Sequence, residues 1–134
     1  MSNFVALIVE DDHFHRELLA DLFKDRGLEV VECSTAEAAE LILASTGTEL
    51  IALVTDVKLA GDMSGVQLAE YAKLKFPRLN VVLISGNDPP YIPLGTRFLL
   101  KPYPTQDLLE AALSWSNASA GSRTSRQRAW TALP

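Results

Sequence analysis

Five short apolar runs recur along the chain, each followed by residues at helical spacing or by turn formers, and this alternation limits the available folds. Phe4-Val5-Ala6-Leu7-Ile8-Val9 is nearly continuous and rich in β-branched residues, the pattern of a strand buried on both faces. Phe14, Leu18, Leu19, Leu22 and Phe23 follow at helical spacing, closed by Gly27. Residues 28–33 read as a second strand. Ser34-Thr35-Ala36-Glu37 reads as a capping box, the Ser34 hydroxyl and the Glu37 carboxylate each satisfying a free backbone N–H. The helix it opens carries Ala38, Ala39, Leu41, Ile42 and Leu43. Residues 50–55 form the third strand, and a helix over 64–76 turns Val66, Leu68, Ala69, Ala72 and Leu74 inward before Pro77. Residues 80–84 and 97–100 are the last two strands. A final helix over 105–115 buries Leu108, Leu109, Ala112 and Leu113.

Strands alternating with helices imply parallel pairing through right-handed crossovers. The expected fold is α/β, a doubly wound five-stranded parallel sheet of flavodoxin-like order 2-1-3-4-5. One crossover is irregular. Between strands four and five, Asn87-Asp88-Pro89-Pro90-Tyr91-Ile92-Pro93-Leu94-Gly95 is short and holds three prolines, each lacking a helix N–H and restricting its predecessor. The fourth helix is therefore shortened or missing, replaced by a turn or one 3₁₀ turn. Tyr91 and Ile92 are expected to pack beneath that loop.

The 134 residues fit one core, which the pattern confines to a domain over 1–116. Residues 117–134, rich in Ser, Ala, Arg, Thr and Gly, have no periodic apolar face and read as a flexible tail without room for a DNA-binding domain. The net charge of −5 is divided unevenly: all 17 acids fall in 1–116 against nine Lys and Arg, while the tail carries only Arg123, Arg126 and Arg128. An acidic body argues against non-specific binding to nucleic acid, and three tail arginines are too few to reverse that. No apolar run spans a membrane and the start does not resemble a signal peptide, so a cytoplasmic protein is expected. The single Cys33 fits a buried small hydrophobe.

In such a sheet, ligands bind beyond the carboxyl ends of the strands. Glu10-Asp11-Asp12 follows strand one, Asp56 ends strand three, Ser85 ends strand four and Lys101 ends strand five. Converging carboxylates repel unless a cation intervenes. Mg²⁺ answers this, because it takes oxygen ligands from one or two carboxylates and keeps several waters. A carboxylate nucleophile beside metal, lysine and hydroxyl is suited to forming an acyl phosphate.

Leu7-Ile8-Val9-Glu10-Asp11-Asp12, Thr55-Asp56-Val57-Lys58-Leu59, Ile84-Ser85-Gly86 and Phe98-Leu99-Leu100-Lys101-Pro102 together resemble receiver domains of two-component response regulators, over residues 4–116. The resemblance implies that Asp56 is the phospho-acceptor, charged by a sensor histidine kinase or a histidine phosphotransfer protein in a phosphorelay. It further implies Mg²⁺ bound by Asp11, Asp56 and the Lys58 backbone carbonyl, with Glu10 acting through water. Ser85 and Lys101 would assist the chemistry, Ser85 and Phe98 would report it, and the Lys101-Pro102 bond would be cis. Asp12 reads equally as a metal-site acid or as a helix cap. Phe98 reads equally as a switch residue or as core. His13 and His15 read as exposed helix residues.

The loop after Asp56 departs from the receiver pattern, lacking the common proline and running one residue longer, with Gly61 and Gly65 keeping it turn-competent. Rival chemistries lack their residues. A haloacid-dehalogenase-like phosphatase needs an acid two places after its nucleophile, where Lys58 stands, and a flavodoxin-type carrier needs a Ser/Thr/Gly-rich loop where Glu10-Asp11-Asp12 stands. The expected protein is a stand-alone receiver that catalyses only its own phosphorylation and dephosphorylation, with output through an unknown downstream protein or as a phosphate sink.

Overall fold

The computed structural model describes residues 4–114. The expected tail over 117–134 and the expected helix end at Trp115 lie outside the described residues. The elements run β1 (Val5–Val9), α1 (His13–Lys24), β2 (Glu29–Cys33), α2 (Ala36–Thr46), a 3₁₀ turn (Gly47–Glu49), β3 (Leu50–Asp56), α3 (Gly65–Lys75), β4 (Asn80–Ser85), β5 (Arg97–Leu100) and α4 (Thr105–Leu113). All strand pairs are parallel, in the order β2-β1-β3-β4-β5. β3 is central, so the strand carrying Asp56 is held by ladders on both sides.

Alternate residues of each strand feed opposite faces, as the two-residue repeat requires. Leu7, Val9, Leu53, Val81 and Leu83 meet Ala39, Leu43, Leu68 and Ala72 of α2 and α3. Ala6, Ile8, Ala52, Val54, Val82 and Ile84 meet Phe23 of α1 and Leu108 and Ala112 of α4. Cys33 lies buried as a free thiol in the first of these layers, and burial pushes its pKa up. No described helix is long and apolar enough to cross a membrane.

The helix starts refine the expected caps. Asp12 caps α1, its carboxylate accepting from the N–H of Phe14 and His15. At α2 the cap is Thr35, not Ser34: the Thr35 hydroxyl accepts from Ala38 N–H. Glu37 does not close a box on that cap but reaches the loop after β3. A reciprocal capping box does form at α3, between Ser64 and Gln67.

Leu74, assigned inward, faces solvent at 78% exposure, and Phe14, Leu18 and Leu41, which share the helical spacing of the apolar residues around them, face solvent too. The helix turn explains each. At about 100° per residue, a side chain two places from a buried one points to the far side. Leu18 stands so to buried Ala20, Leu41 to Ala39 and Leu74 to Ala72. Phe14, six places before Ala20, is also turned off the buried stripe.

The connection from β4 to β5 contains no helix, as the prolines require. It closes on Gly95, in the left-handed region at φ 83°, and on a bond from Thr96 N–H to Pro93 C=O. Tyr91 and Ile92 do not pack beneath this segment. Both are exposed, with Pro93 buried in their stead. The extended prolines carry the strap across the surface, where the Tyr91 hydroxyl donates to Glu70 of α3 at 2.6 Å.

Candidate functional site

Three strand ends bring their polar residues together. Glu10 follows β1, Asp56 ends β3 and Lys101 follows β5, and all three line one cleft of about 480 Å³. The Lys101 ammonium lies 3.4 Å from Asp56 Oδ2. The other Asp56 oxygen, Oδ1, accepts from Val57 N–H at 2.9 Å. The Lys101-Pro102 peptide is cis, and Lys101 N–H donates to Ser85 C=O at 2.8 Å.

Glu10 is nearly fully buried. Its pKa is pushed up to about 7, first by burial and then by the facing Asp56 carboxylate, partly offset by the N–H of Asp12 on its Oε2. Two carboxylates in such contact resist joint ionisation. The conflict is what a divalent cation removes, so the donor set fits one: Glu10 and Asp56 supply carboxylate oxygens, and the Lys58 carbonyl lies two residues beyond Asp56. Among the described residues no three His, Cys, Asp or Glu side chains are arranged to hold a metal ion among themselves. An open site with one or two carboxylates and several waters is the arrangement Mg²⁺ uses.

The remaining expected residues stand as follows. Asp11 is exposed, next to Glu10 but not in the cleft lining. Asp12, engaged as the α1 cap, has its pKa lowered chiefly by the His15 N–H. Ser85 is buried outside the cleft lining, its hydroxyl accepting from Asn87 N–H at 3.1 Å. Phe98 is partly buried against the α2–α3 layer. His13 and His15 are exposed, each near a carboxylate of its own helical neighbourhood.

Three further residues shape the site without having been singled out for it. Arg16 donates to Glu10 C=O at 2.9 Å and pairs with Glu32 of β2, tying the end of β1 to α1. Tyr103 lines the cleft, its phenol raised to about 12 by burial and then by the Asp56 and Glu10 charges. Glu37 accepts from Asp62 and Met63 N–H in the loop after Asp56. Arg16 and Tyr103 each lie within a turn or two of a recognised motif, but only the folded chain shows which way they point.

The family model of the response regulator receiver domain matches residues 6–113. Nodulation protein W of Bradyrhizobium diazoefficiens is 33% identical over 119 residues, covering 82% of this chain and 50% of that protein. The chain thus spans half the length of that curated relative. Among solved structures, a response regulator receiver protein from Sinorhizobium medicae superposes with TM-score 0.77 at 24% identity, covering 87% of this chain and 97% of that one. The CheX-CheY-BeF3-Mg+2 complex from Borrelia burgdorferi gives TM-score 0.69 at 20% identity, covering 81% and 85%. Both structures share the fold.

Proposed function

Because the chain belongs to the response regulator receiver domain family, we propose that Asp56 accepts a phosphoryl group from a phosphohistidine of a sensor histidine kinase or a histidine phosphotransfer protein. The observation that carries this reading is the meeting of Glu10, Asp56 and Lys101 from three strand ends in one cleft. An Asp56 carboxylate oxygen forms the new O–P bond as the histidine N–P bond breaks, and the released imidazole nitrogen takes up a proton. Lys101, 3.4 Å from Asp56, offsets the negative charge of the phosphoryl oxygens. Asp11, Asp56 and the Lys58 carbonyl, with Glu10 acting through water, would hold Mg²⁺, which when bound neutralises phosphoryl charge and orients the transfer. Later attack by water on phosphorus returns the free carboxylate. In this reading the chain turns over no other substrate.

The phosphodonor meets the cleft beside α1. Leu18 is exposed and lines the opening, and Phe14 is exposed one turn earlier on the same helix. These side chains offer apolar contact area next to the acceptor. Output then passes by protein contact from the β4–β5 side, or ends in loss of the phosphoryl group as a sink.

Incubation with a small phosphodonor and Mg²⁺, followed by intact mass measurement, tests the reading. One phosphoryl adduct is expected in the native chain and none in Asp56→Asn or without Mg²⁺. Uptake by the Asn variant equal to that of the parent, or none by the parent, overturns it.

A further inference from the structure

The loop between β3 and α3 (residues 57–64) is pinned at both ends by the backbone. Val57 N–H donates to Ile84 C=O and Gly65 N–H to Val57 C=O. Between those anchors the loop contains no proline and carries Gly61, so its middle needs another restraint. That restraint comes from the neighbouring helix α2, which packs in the same layer as α3. Ala60 forms a parallel bridge with Thr35, the cap of α2. Two places on, the Glu37 carboxylate takes both free amides of the loop tip on one oxygen: Asp62 N–H at 3.0 Å and Met63 N–H at 2.9 Å.

The fit is close on the other side as well. Gly61 sits in the left-handed region at φ 96°, and a Cβ there would lie 2.7 Å from Glu37 Oε1. The carboxylate therefore occupies the space that the glycine leaves open. Hydrogen bonds from a carboxylate to backbone N–H groups are charge-assisted and stronger than neutral ones. The Glu37 carboxyl is held below the usual range by its own backbone N–H and by those of Asp62 and Met63. Glu37 lies on α2, sequence-distant from the loop it grips, and its side chain touches no reacting group.

We infer that Glu37 is a positioning residue for the acceptor site: by clamping Asp62 and Met63 it fixes the loop that presents the Lys58 carbonyl to the cation. The inference rests on the proposed role of that carbonyl. Groups that hold a metal ligand in place from outside characteristically set affinity without touching the ion. In this chain the clamp does for a proline-free loop what a rigid backbone would otherwise do.

The test compares the parent with Glu37→Ala and Glu37→Gln by three measurements: Mg²⁺ titration followed by amide NMR shifts, amide hydrogen exchange, and thermal unfolding. In Glu37→Ala the Asp62 and Met63 amides lose protection while those of Val57 and Gly65 keep theirs, and Mg²⁺ affinity falls roughly tenfold. Glu37→Gln, which retains an acceptor oxygen, restores most of both, and the unfolding temperature of all three proteins stays within a few degrees. If Glu37→Ala frees the two amides yet binds Mg²⁺ as the parent does, the inference fails while the function stands. It fails equally if the amides stay protected without the carboxylate. A parent that binds no Mg²⁺ overturns the proposed function itself, and the inference with it.

Discussion

The backbone of Gly65 lies directly against the carbonyl of Asp56. A Cβ built on Gly65 would overlap that oxygen and crowd the Val57 Cα, while Gly65 N–H donates to Val57 C=O at 2.8 Å. The first residue of α3 and Asp56 thus share one packed junction, with a side chain excluded from it. Gly65→Ala must push either α3 or the end of β3 aside. Such overpacking costs about 1–3 kcal/mol, read by denaturant unfolding, and slows phosphoryl uptake from a small phosphodonor. An alanine variant with parental stability and uptake would show that the junction yields freely.

The cleft lined by Glu10, Asp56 and Lys101 makes stability depend on pH through Glu10. Its folded pKa of about 7 lies above the ordinary 4.5, so the folded state holds a proton that the unfolded chain releases. Stability from this group is complete below about pH 4.5 and is lost as pH rises through 7. Metal-free Glu10→Gln removes that loss. It is expected to exceed the metal-free parent at pH 8 by roughly 1–3 kcal/mol, with the gap closing near pH 4.5. Parallel stability curves for the two proteins across that range would refute the assignment.

Helix α3 offers a paired comparison. Leu68 is fully buried and Leu74 is 78% exposed. Leu68→Ala should cost about 2–5 kcal/mol through lost transfer energy and a cavity, and Leu74→Ala within about 0.5 kcal/mol of zero. Urea midpoints at equal slope decide this, and similar losses at both sites would mean that Leu74 is covered in solution.

At the start of β5, the Thr96 hydroxyl is buried without a hydrogen-bond partner in the described structure. A polar group so placed loses its hydration without compensation. Thr96→Val keeps the shape and removes the oxygen, and is expected to stabilise the fold by about 1 kcal/mol. A destabilised valine variant in thermal unfolding would reveal a partner for that hydroxyl.

Much of this architecture was legible before folding because it rests on short-range rules. Short, nearly continuous apolar runs located the five strands, and proline chemistry removed the helix between β4 and β5. The convergence of Glu10, Asp56 and Lys101 followed from parallel topology alone, since strand ends share an edge. What eluded sequence reading depends on rotation and distance. Leu41 and Leu74 fit an apolar stripe by composition, but lie some 200° from their buried neighbours Ala39 and Ala72. Glu37 has the residue type and spacing for a local cap, yet its partners Asp62 and Met63 lie 25 and 26 residues away. No local pattern distinguishes those outcomes, because both satisfy the same carboxylate. Tyr91 and Ile92 were apolar enough to bury, but a segment kept extended by three prolines could not fold back over them.

That segment sets how the ends of β4 and β5 are mechanically joined. A helix between two strands behaves as a lever, rotating as a unit with its internal bonds intact. The stretch from Gly86 to Thr96 is instead a strap, stiffened by its prolines and fastened at few points: Ser85 at one end, the Tyr91 hydroxyl on Glu70 in the middle, and Pro93 to Thr96 at the other. A strap transmits pull but not torque. A strap so fastened joins the end of β4 to β5 by pull along the chain, with its middle tied to α3 through Tyr91 and Glu70.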